Sequence, residues 1–240
     1  MKKLTVLLTA LCLMGLTSQG LCATDLINIQ FNNGTPIYNN GAAVNDETQV
    51  WNQITTAAGE YDNLKYSDNT SSAVYILMDA NDLFSTLSSV HDIDGNLMNS
   101  YCAFGAPGYG YGDKITIAGL SAGQYKVYVY SQGVDDTTEL NMSATGNDGL
   151  TSQDYLLSPL GDETSLIQGK NWQVRTIDVD GNGTITMSFK SDAELLTSVV
   201  NGIQIQAVPE PGSMVLLGVG GVLALSRVRR KAENDLAVID

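Results

Sequence analysis

The sequence predicts an all-β fold, a single β-sandwich that occupies the middle of the chain. Three observations predict it: short runs in which apolar and polar residues alternate, an enrichment of β-branched and aromatic residues in those runs, and gaps rich in Gly, Asn, Asp and Ser. The runs are residues 26–31, 73–78, 114–117, 124–130, 139–144, 172–179, 184–189 and 199–205. Short strands separated by turn-rich gaps are typical of two-sheet sandwiches.

Three local features are predicted within this sandwich. In residues 124–130, Val127 and Val129 share one face, which we expect in the core. The sequence Asp-Gly-Asn-Gly at residues 180–183 supplies residues that tolerate positive φ, and it therefore predicts a hairpin between the two runs that flank it. One or two helical turns are predicted only at residues 81–90.

The N-terminal residues 1–23 have the three parts of a secretory signal helix. Two lysines precede an apolar stretch at residues 4–16, and the sequence Leu-Cys-Ala at residues 21–23 is a suitable cleavage site. The alternative is an N-terminal membrane anchor, but the apolar stretch is shorter than a membrane span. We therefore predict secretion through the Sec pathway and cleavage near Thr24, which leaves a domain at residues 24–207.

The C-terminal part of the chain combines three features in order. First comes a rigid segment of Val208, Pro209, Glu210 and Pro211, in which the prolines fix φ and remove backbone donors. An apolar run follows at residues 214–225, and it would span only about 18 Å as a helix. A basic cluster ends the segment, formed by Arg227, Arg229, Arg230 and Lys231.

This apolar run predicts a transmembrane helix at residues 213–226. Continued through the basic cluster, with the basic side chains reaching the far interface, the helix becomes about 30 Å long and can cross a hydrocarbon core. The cluster would then lie in the cytoplasm and the sandwich outside it. The alternative, a buried core helix of a soluble domain, is disfavoured because four basic residues directly adjoin the apolar run.

Together, these C-terminal features resemble the PEP-CTERM signal of Gram-negative bacteria. The resemblance implies recognition and cleavage by exosortase, a membrane protease, at a sorting signal that covers residues 208–231. It also implies that the chain is tethered transiently to the inner membrane and then reaches the cell surface or an exopolysaccharide-containing matrix. In that family the basic cluster usually stands almost at the end, whereas here a polar tail follows at residues 232–240.

Cysteine content and charge narrow the classes of function. After signal cleavage only Cys102 remains, so no intrachain disulfide can form, and its apolar neighbours predict a buried thiol. Residues 24–211 contain six basic and twenty-three acidic residues. This balance excludes nucleic acid as an expected partner because there is no basic footprint to neutralise phosphates. It is compatible with neutral glycans, with divalent cations or with solubility alone.

A second resemblance concerns the middle of the chain. Trp51-Asn52, the glycine-flanked segment 119–123 before the run 124–130, and the last run from Asn201 to Ile205 are similar to galactose-binding-like domains. The resemblance implies a jelly-roll-like β-sandwich. Sugar binding is implied only by analogy, because a fold does not determine a function.

Four aromatic residues are candidates for a glycan-binding platform, since a sugar ring offers an apolar C–H face and a rim of hydroxyls. Tyr109 and Tyr111 lie in the glycine-rich stretch 105–113, which we expect to be an exposed loop. Trp51 and Trp172 are the other two. For the tryptophans the alternative is burial in the core, where large aromatic side chains usually lie.

A calcium site is a further candidate. Asp178, Asp180 and Asn182 alternate as oxygen ligands do at the start of a calcium loop, and Gly183 stands at the sixth position. The twelfth position is Phe189 rather than the bidentate Glu of such loops. A plain hairpin is therefore favoured, and no other cofactor is predicted.

No pattern points to catalysis. The chain has a single histidine, His91, beside Asp92, and no nucleophile-elbow motif accompanies it. Zinc sites need several His or Cys ligands, which are missing. We therefore expect a non-enzymatic, secreted cell-surface or matrix protein that associates with exopolysaccharide. The alternative is a carbohydrate-binding or carbohydrate-active surface protein.

Overall fold

A computed structural model describes residues 26–32, 38, 42–44, 49–80, 82–85, 97–104, 114–132, 138–146, 152–157, 165–181, 183–189 and 197–209. The predicted signal helix 1–23, transmembrane helix 213–226, basic cluster and polar tail 232–240 lie outside these residues. The contacts between Cα atoms divide the chain into two compact units, Met1–Ala207 and Val208–Asp240. Within the described ranges, no helix is long and apolar enough to cross a membrane.

The described part of the chain is all-β, as predicted, with one 3-10 turn at Leu97–Asn99. The strands are β1 (Leu26–Phe31), β2 (Trp51–Ile54), β3 (Ala58–Tyr61), β4 (Tyr75–Asp79), β5 (Asp82–Ser85), β6 (Ser100–Phe104), β7 (Lys114–Ala118), β8 (Gly123–Tyr130), β9 (Thr138–Gly146), β10 (Ser152–Leu157), β11 (Trp172–Val179), β12 (Ile185–Phe189), β13 (Thr197–Val200) and β14 (Gly202–Val208). Each of the eight predicted runs overlaps one or two of these strands.

The strands form two sheets. One has five strands in the order β11-β8-β14-β1-β2, in which β1 pairs antiparallel with β14 and parallel with β2. The other has nine strands, with β3-β4-β7-β12-β9-β13-β6-β5 in order and β10 paired to β9. The two sheets share one core, so the architecture is a two-sheet β-sandwich, as predicted.

The core lies between the inward faces of the two sheets. Val127 and Val129 of β8 are both 0% exposed, which confirms the predicted valine face. They belong to one cluster with Ile203 of β14, and with Ile115 and Met187 from the opposite sheet. Burial of each such side chain stabilises the fold by about 1.5 to 3 kcal/mol. Cys102 of β6 is also fully buried, as expected.

The predicted hairpin around residues 180–183 is wrong. Strand β11 lies at the edge of the five-stranded sheet, whereas β12 lies inside the nine-stranded sheet, so the two do not pair. The Asp-Gly-Asn-Gly sequence still makes a turn, in which the Gly183 N–H donates to the Asp180 carbonyl at 3.0 Å. Gly183 has φ of +65°, and its carbonyl accepts from Leu120 N–H at 3.0 Å. The turn therefore carries the chain from one sheet to the other.

The predicted helical turns at residues 81–90 are also wrong where the structure describes them. Residues Asp82–Ser85 form β5, which pairs antiparallel with β6. Leu83 faces Cys102 in this register. Pairing with the next strand along the chain decided the conformation here, and capping residues alone could not predict that pairing.

The predicted run 199–205 is two strands rather than one. It is interrupted at Asn201, where β13 of the nine-stranded sheet ends and β14 of the five-stranded sheet follows. The buried Asn201 amide donates to the carbonyls of Met98 at 3.2 Å and Ser100 at 2.9 Å, and its Oδ1 accepts from Gln132 N–H at 2.5 Å. These three bonds hold the point at which the chain crosses between the sheets.

Candidate functional site

The outer face of the five-stranded sheet carries a group of polar and aromatic side chains that could form a site. Side chains alternate across a strand, so the residues between the core-facing isoleucines and valines point to this face. Amide and aromatic side chains occupy it: Asn28, Gln30, Trp51, Tyr128, Tyr130, Trp172, Gln204 and Gln206. We call this surface the amide–aromatic face.

One part of the amide–aromatic face is covered by the chain between β1 and β2. Backbone N–H groups of that segment bond to side chains of the sheet: Tyr38 to Gln30 Oε1 at 3.0 Å, and Ala43 to the Tyr130 hydroxyl at 2.7 Å. Tyr38 is fully buried. Backbone groups that would otherwise lack a partner under this cover are therefore satisfied by amide and phenol oxygens of the strands.

The covered amides also bond to one another. Gln204 Nε2 donates to Asn28 Oδ1 at 2.8 Å and to Gln49 Oε1 at 3.2 Å. Asn28 Nδ2 donates to Gln49 Oε1 at 3.2 Å and to the Val50 carbonyl at 3.0 Å. These amides are at most 4% exposed. Sequence reasoning missed this network, and its only signal was the alternation of Asn and Gln with isoleucine in 27–30 and 203–206.

Tyr130 is the centre of the covered part. Its hydroxyl donates to Gln204 Oε1 while accepting from Ala43 N–H. The side chain is fully buried, and this burial raises the pKa of the Tyr130 phenol far above its ordinary value. The hydroxyl therefore stays protonated, and so remains a donor, well above neutral pH.

The structure brings the two predicted tryptophans to the same face, on either side of Tyr130. The ring centroid of Trp51 lies 6.5 Å from that of Tyr130, and the centroid of Trp172 lies 6.4 Å from it. Trp51 is 4% exposed and packs edge-on against Tyr38 at 5.1 Å. Its ring is therefore occupied by packing. Tyr109 and Tyr111 lie outside the described residues.

The other part of the amide–aromatic face is only partly covered in the described residues, and Trp172 lies there. Its half-buried ring is 6.2 Å from that of Tyr128, whose hydroxyl donates to Gln206 Oε1 at 3.3 Å. Val174 follows on the same face of β11, directly opposite Tyr128. Tyr128 itself is buried, at 8% exposure, whereas Trp172, Val174 and Gln206 are half-buried. We call these three half-buried residues the open strip. It presents an apolar surface beside an amide, the combination that binds a sugar ring through its C–H face and its hydroxyls.

Two of the three predicted calcium ligands lie in the described residues. Asp178 belongs to β11 and Asp180 follows its end, and both are half-buried. Asn182 lies outside the described residues. Among the residues that the structure describes, no group of three or more His, Cys, Asp or Glu side chains is placed to hold a metal ion. The calcium site therefore stays a prediction from the sequence.

The C-terminal segment follows the last described strand, β14. Val208 is the last residue of β14 and is half-buried, and Pro209 after it is exposed. Glu210, Pro211 and the basic cluster lie outside the described residues. The profile of the PEP-CTERM protein-sorting motif matches residues 207–231. The chain carries a PEP-CTERM sorting motif. This motif supports an exported, membrane-anchored surface protein that exosortase processes.

Solved structures give weaker similarities. The chain shares 14% identity and a TM-score of 0.43 with a structure of the plant peptide RALF23 in complex with FER and LLG2, covering 80% of this chain and 42% of the other. It shares 11% sequence identity and a TM-score of 0.42 with the ANXUR2 extracellular domain of Arabidopsis thaliana. This match covers 78% of this chain and 42% of the other. It shares 12% sequence identity and a TM-score of 0.42 with a Bacteroides uniformis beta-glucuronidase. This match covers 70% of this chain and 22% of the other.

The chain thus spans about two-fifths of the length of the first two proteins and about a fifth of the third. TM-scores this low do not define a common fold, so no property of these proteins is transferred to the chain. No curated protein matches the chain.

Proposed function

We propose that this protein is exported through the Sec pathway, held briefly in the inner membrane by its C-terminal helix, and processed by exosortase. It then functions without catalysis at the cell surface or in the extracellular matrix, where the sandwich associates with exopolysaccharide. The observation that carries the proposal is the PEP-CTERM motif at residues 207–231. Its first residues directly follow the buried part of β14, so the sorting segment is attached to a folded domain.

The charge of the chain supports release after processing. Residues 24–211 contain seventeen more acidic than basic residues, whereas the basic cluster lies beyond them. An acidic domain is repelled by anionic lipid headgroups, and its surface charge keeps it soluble. Cleavage between the two parts therefore separates an acidic domain from the basic segment that retains it at the membrane.

The test is the intact mass and the cell fraction of the protein from its native host. The wild type is compared with a variant that carries Pro209→Ala, Glu210→Ala and Pro211→Ala. A matched control carries Glu233→Ala, Asn234→Ala and Asp235→Ala in the polar tail. We expect the wild type and the control to lose their C-terminal segment and leave the inner membrane, while the motif variant stays uncut. A wild-type chain that still ends at Asp240 would refute the proposal.

The alternative function is carbohydrate binding, and the open strip is the observation that favours it. Trp172 offers a half-buried ring beside Val174, and Gln206 on β14 supplies the amide of the strip. A sugar whose C–H face packs on an aromatic ring gains about 25 cal/mol for each Å² of apolar surface that it buries. A strip of this size is therefore suited to weak binding of a polymer through repeated contacts.

Affinity electrophoresis in gels that contain soluble polysaccharides tests this alternative. We expect wild-type migration to be retarded, and Trp172→Ala to abolish the retardation. Tyr75→Ala is the matched control because Tyr75 is a half-buried aromatic residue on β4, in the other sheet. A double variant, Tyr109→Ala with Tyr111→Ala, tests the predicted loop separately. Equal migration of all proteins with and without polysaccharide would dismiss binding, and release of reducing ends would instead indicate a carbohydrate-active enzyme.

A further inference from the structure

A pocket opens between the two sheets at one end of the sandwich. The five-stranded sheet contributes Ile27 of β1, Tyr125 of β8 and Ile205 of β14 to its lining. The residues next to β4 and β7 of the other sheet contribute Val74 and Leu120. All five side chains are at most 8% exposed, so they form the floor and the walls. We call this cavity the end pocket.

Backbone hydrogen bonds hold the wall formed by Val74 and Leu120 in place. The Leu120 N–H donates to the Gly183 carbonyl at 3.0 Å, and the Val74 carbonyl accepts from the Leu64 N–H at 3.1 Å. On the opposite wall, β1, β8 and β14 are each paired with a neighbouring strand on both sides. The end pocket is therefore formed by the fold itself before any ligand binds, as is usual for small-molecule sites.

Small residues surround the mouth of the end pocket. Ala73, Gly119 and Ser121 line the pocket and are exposed. Gly119 has a φ of +80°, and a Cβ atom there would overlap the Ala73 carbonyl. The Ser121 carbonyl accepts from the Tyr125 hydroxyl at 2.9 Å, and a carbonyl oxygen can accept a second hydrogen bond. The mouth therefore offers backbone polar groups to a ligand, whereas the interior offers apolar side chains.

The size and charge of the end pocket define the class of its ligand. Its volume is about 120 Å³, and an apolar cavity of about 150 Å³ is known to bind benzene. None of the nine described residues that line the pocket is charged. A sugar would place its hydroxyl groups against isoleucine, valine and leucine side chains, where they would lose the hydrogen bonds that they make in water. An uncharged aromatic ring loses no such bonds.

We propose that the end pocket binds the uncharged aromatic ring of a small molecule. The ring packs between Leu120 on one wall and Ile205 on the other, and a polar substituent of the ring stays at the mouth beside Ser121. This site is distinct from the open strip, because the open strip lies on the outer face of the five-stranded sheet and the end pocket lies between the sheets. The inference goes beyond the proposed function, since it depends neither on sorting nor on glycan binding.

Titration of the purified full chain with benzyl alcohol tests the proposal, with the protein labelled with carbon-13 at the δ1 methyl groups of isoleucine. We expect saturable chemical-shift changes at Ile27 and Ile205, which line the pocket. Ile54 is the internal control because it is as buried in the same core but does not line the pocket. Glucose is the matched probe, and it should shift none of these methyl groups. Shifts that do not saturate, that are as large at Ile54, or that glucose reproduces would overturn the proposal.

Two tryptophan substitutions locate the ligand. Ala73→Trp places a large side chain at the mouth, so it should raise the dissociation constant for benzyl alcohol by about tenfold or more. Ala122→Trp is the matched control, because Ala122 is also exposed and adjoins Ser121 in the sequence but does not line the pocket. We expect Ala122→Trp to bind benzyl alcohol as the wild type does. Equal dissociation constants for the two variants would place the ligand elsewhere and refute the assignment.

Discussion

The hydroxyl of Tyr130 and the side-chain carbonyl of Gln204 form a fully buried hydrogen bond that joins β8 to β14. The same hydroxyl accepts from Ala43 N–H, so one oxygen attaches the covering segment to the two strands beneath it. Ala43 N–H and Gln204 Oε1 therefore both form a hydrogen bond with the hydroxyl of Tyr130. A buried polar group that loses its partner costs about 1 to 3 kcal/mol.

Tyr130→Phe should lower the free energy of unfolding by about 2 to 4 kcal/mol, because Ala43 N–H and Gln204 Oε1 would each lose a partner. Urea denaturation followed by tryptophan fluorescence measures the change. Tyr128→Phe is the matched control, since its hydroxyl makes one longer bond of 3.3 Å near the open side of the face. A loss in Tyr130→Phe no larger than in the control would contradict the assignment.

Asn201→Ala should destabilise the protein by more than about 2 kcal/mol. The substitution leaves the buried carbonyls of Met98 and Ser100 and the N–H of Gln132 without the bonds that Asn201 makes to them. Thermal denaturation measures the effect, with exposed Gln124→Ala as the control for the loss of an amide. Equal melting temperatures of the two variants would show that the crossing between sheets does not depend on this side chain.

Gly119→Ala and Gly169→Ala separate backbone strain from steric overlap. The two glycines have nearly the same φ, +80° and +84°. A Cβ atom at residue 119 would lie 2.3 Å from the Ala73 carbonyl oxygen, whereas at residue 169 nothing lies within 4 Å. We expect Gly169→Ala to cost about 1 kcal/mol from strain alone. Gly119→Ala should lower the free energy of unfolding by clearly more than Gly169→Ala. Chemical denaturation measures both changes, and equal values would contradict the close approach of residue 119 to the Ala73 carbonyl.

Stability should decrease above about pH 10, the ordinary pKa of tyrosine. Burial raises the pKa of Tyr130 and of Tyr155 in the folded protein. Above pH 10 the unfolded chain releases phenol protons that the folded chain keeps, so each further rise in pH favours unfolding. Each tyrosine can contribute up to about 1.4 kcal/mol per pH unit in that range.

The check is the free energy of unfolding at pH 8, 10 and 11 for the wild type and for Tyr155→Phe. Tyr155 donates to the Val127 carbonyl at 2.9 Å, so the variant should be less stable at every pH. Its decline above pH 10 should nevertheless be shallower, because one buried phenol has been removed. Parallel declines for the two proteins would show that Tyr155 does not contribute to the pH dependence.

The sequence was sufficient to predict strands whose side chains alternate clearly. Residues 26–31 and 172–179 were predicted with the bounds that β1 and β11 have in the structure. In β8 the alternation also identified the valine face that lies in the core. In such strands the alternation of apolar and polar residues determines which face packs on the core, because one face is apolar and the other is not.

The missed features depend on contacts between distant parts of the chain. Strand β3, with the sequence Ala-Gly-Glu-Tyr, has no β-branched residue and forms through its pairing with β4. The polar side chains of Asn28 and Gln204 are buried because a segment of the chain covers their face, which alternation does not reveal. For the same reason the sequence could nominate Trp51 and Trp172 but could not predict that only Trp172 stays half-exposed.

The pairing of Leu26 with Gln206 also bears on how the protein folds during export. Strand β14 occupies the middle of its sheet, between β8 and β1, yet it is synthesised after all the other described strands. Until β14 arrives, β1 and β8 lack the strand that joins them, and closing a loop between such distant residues is slow. We therefore expect the chain to complete this sheet only after export of β14, the last described strand.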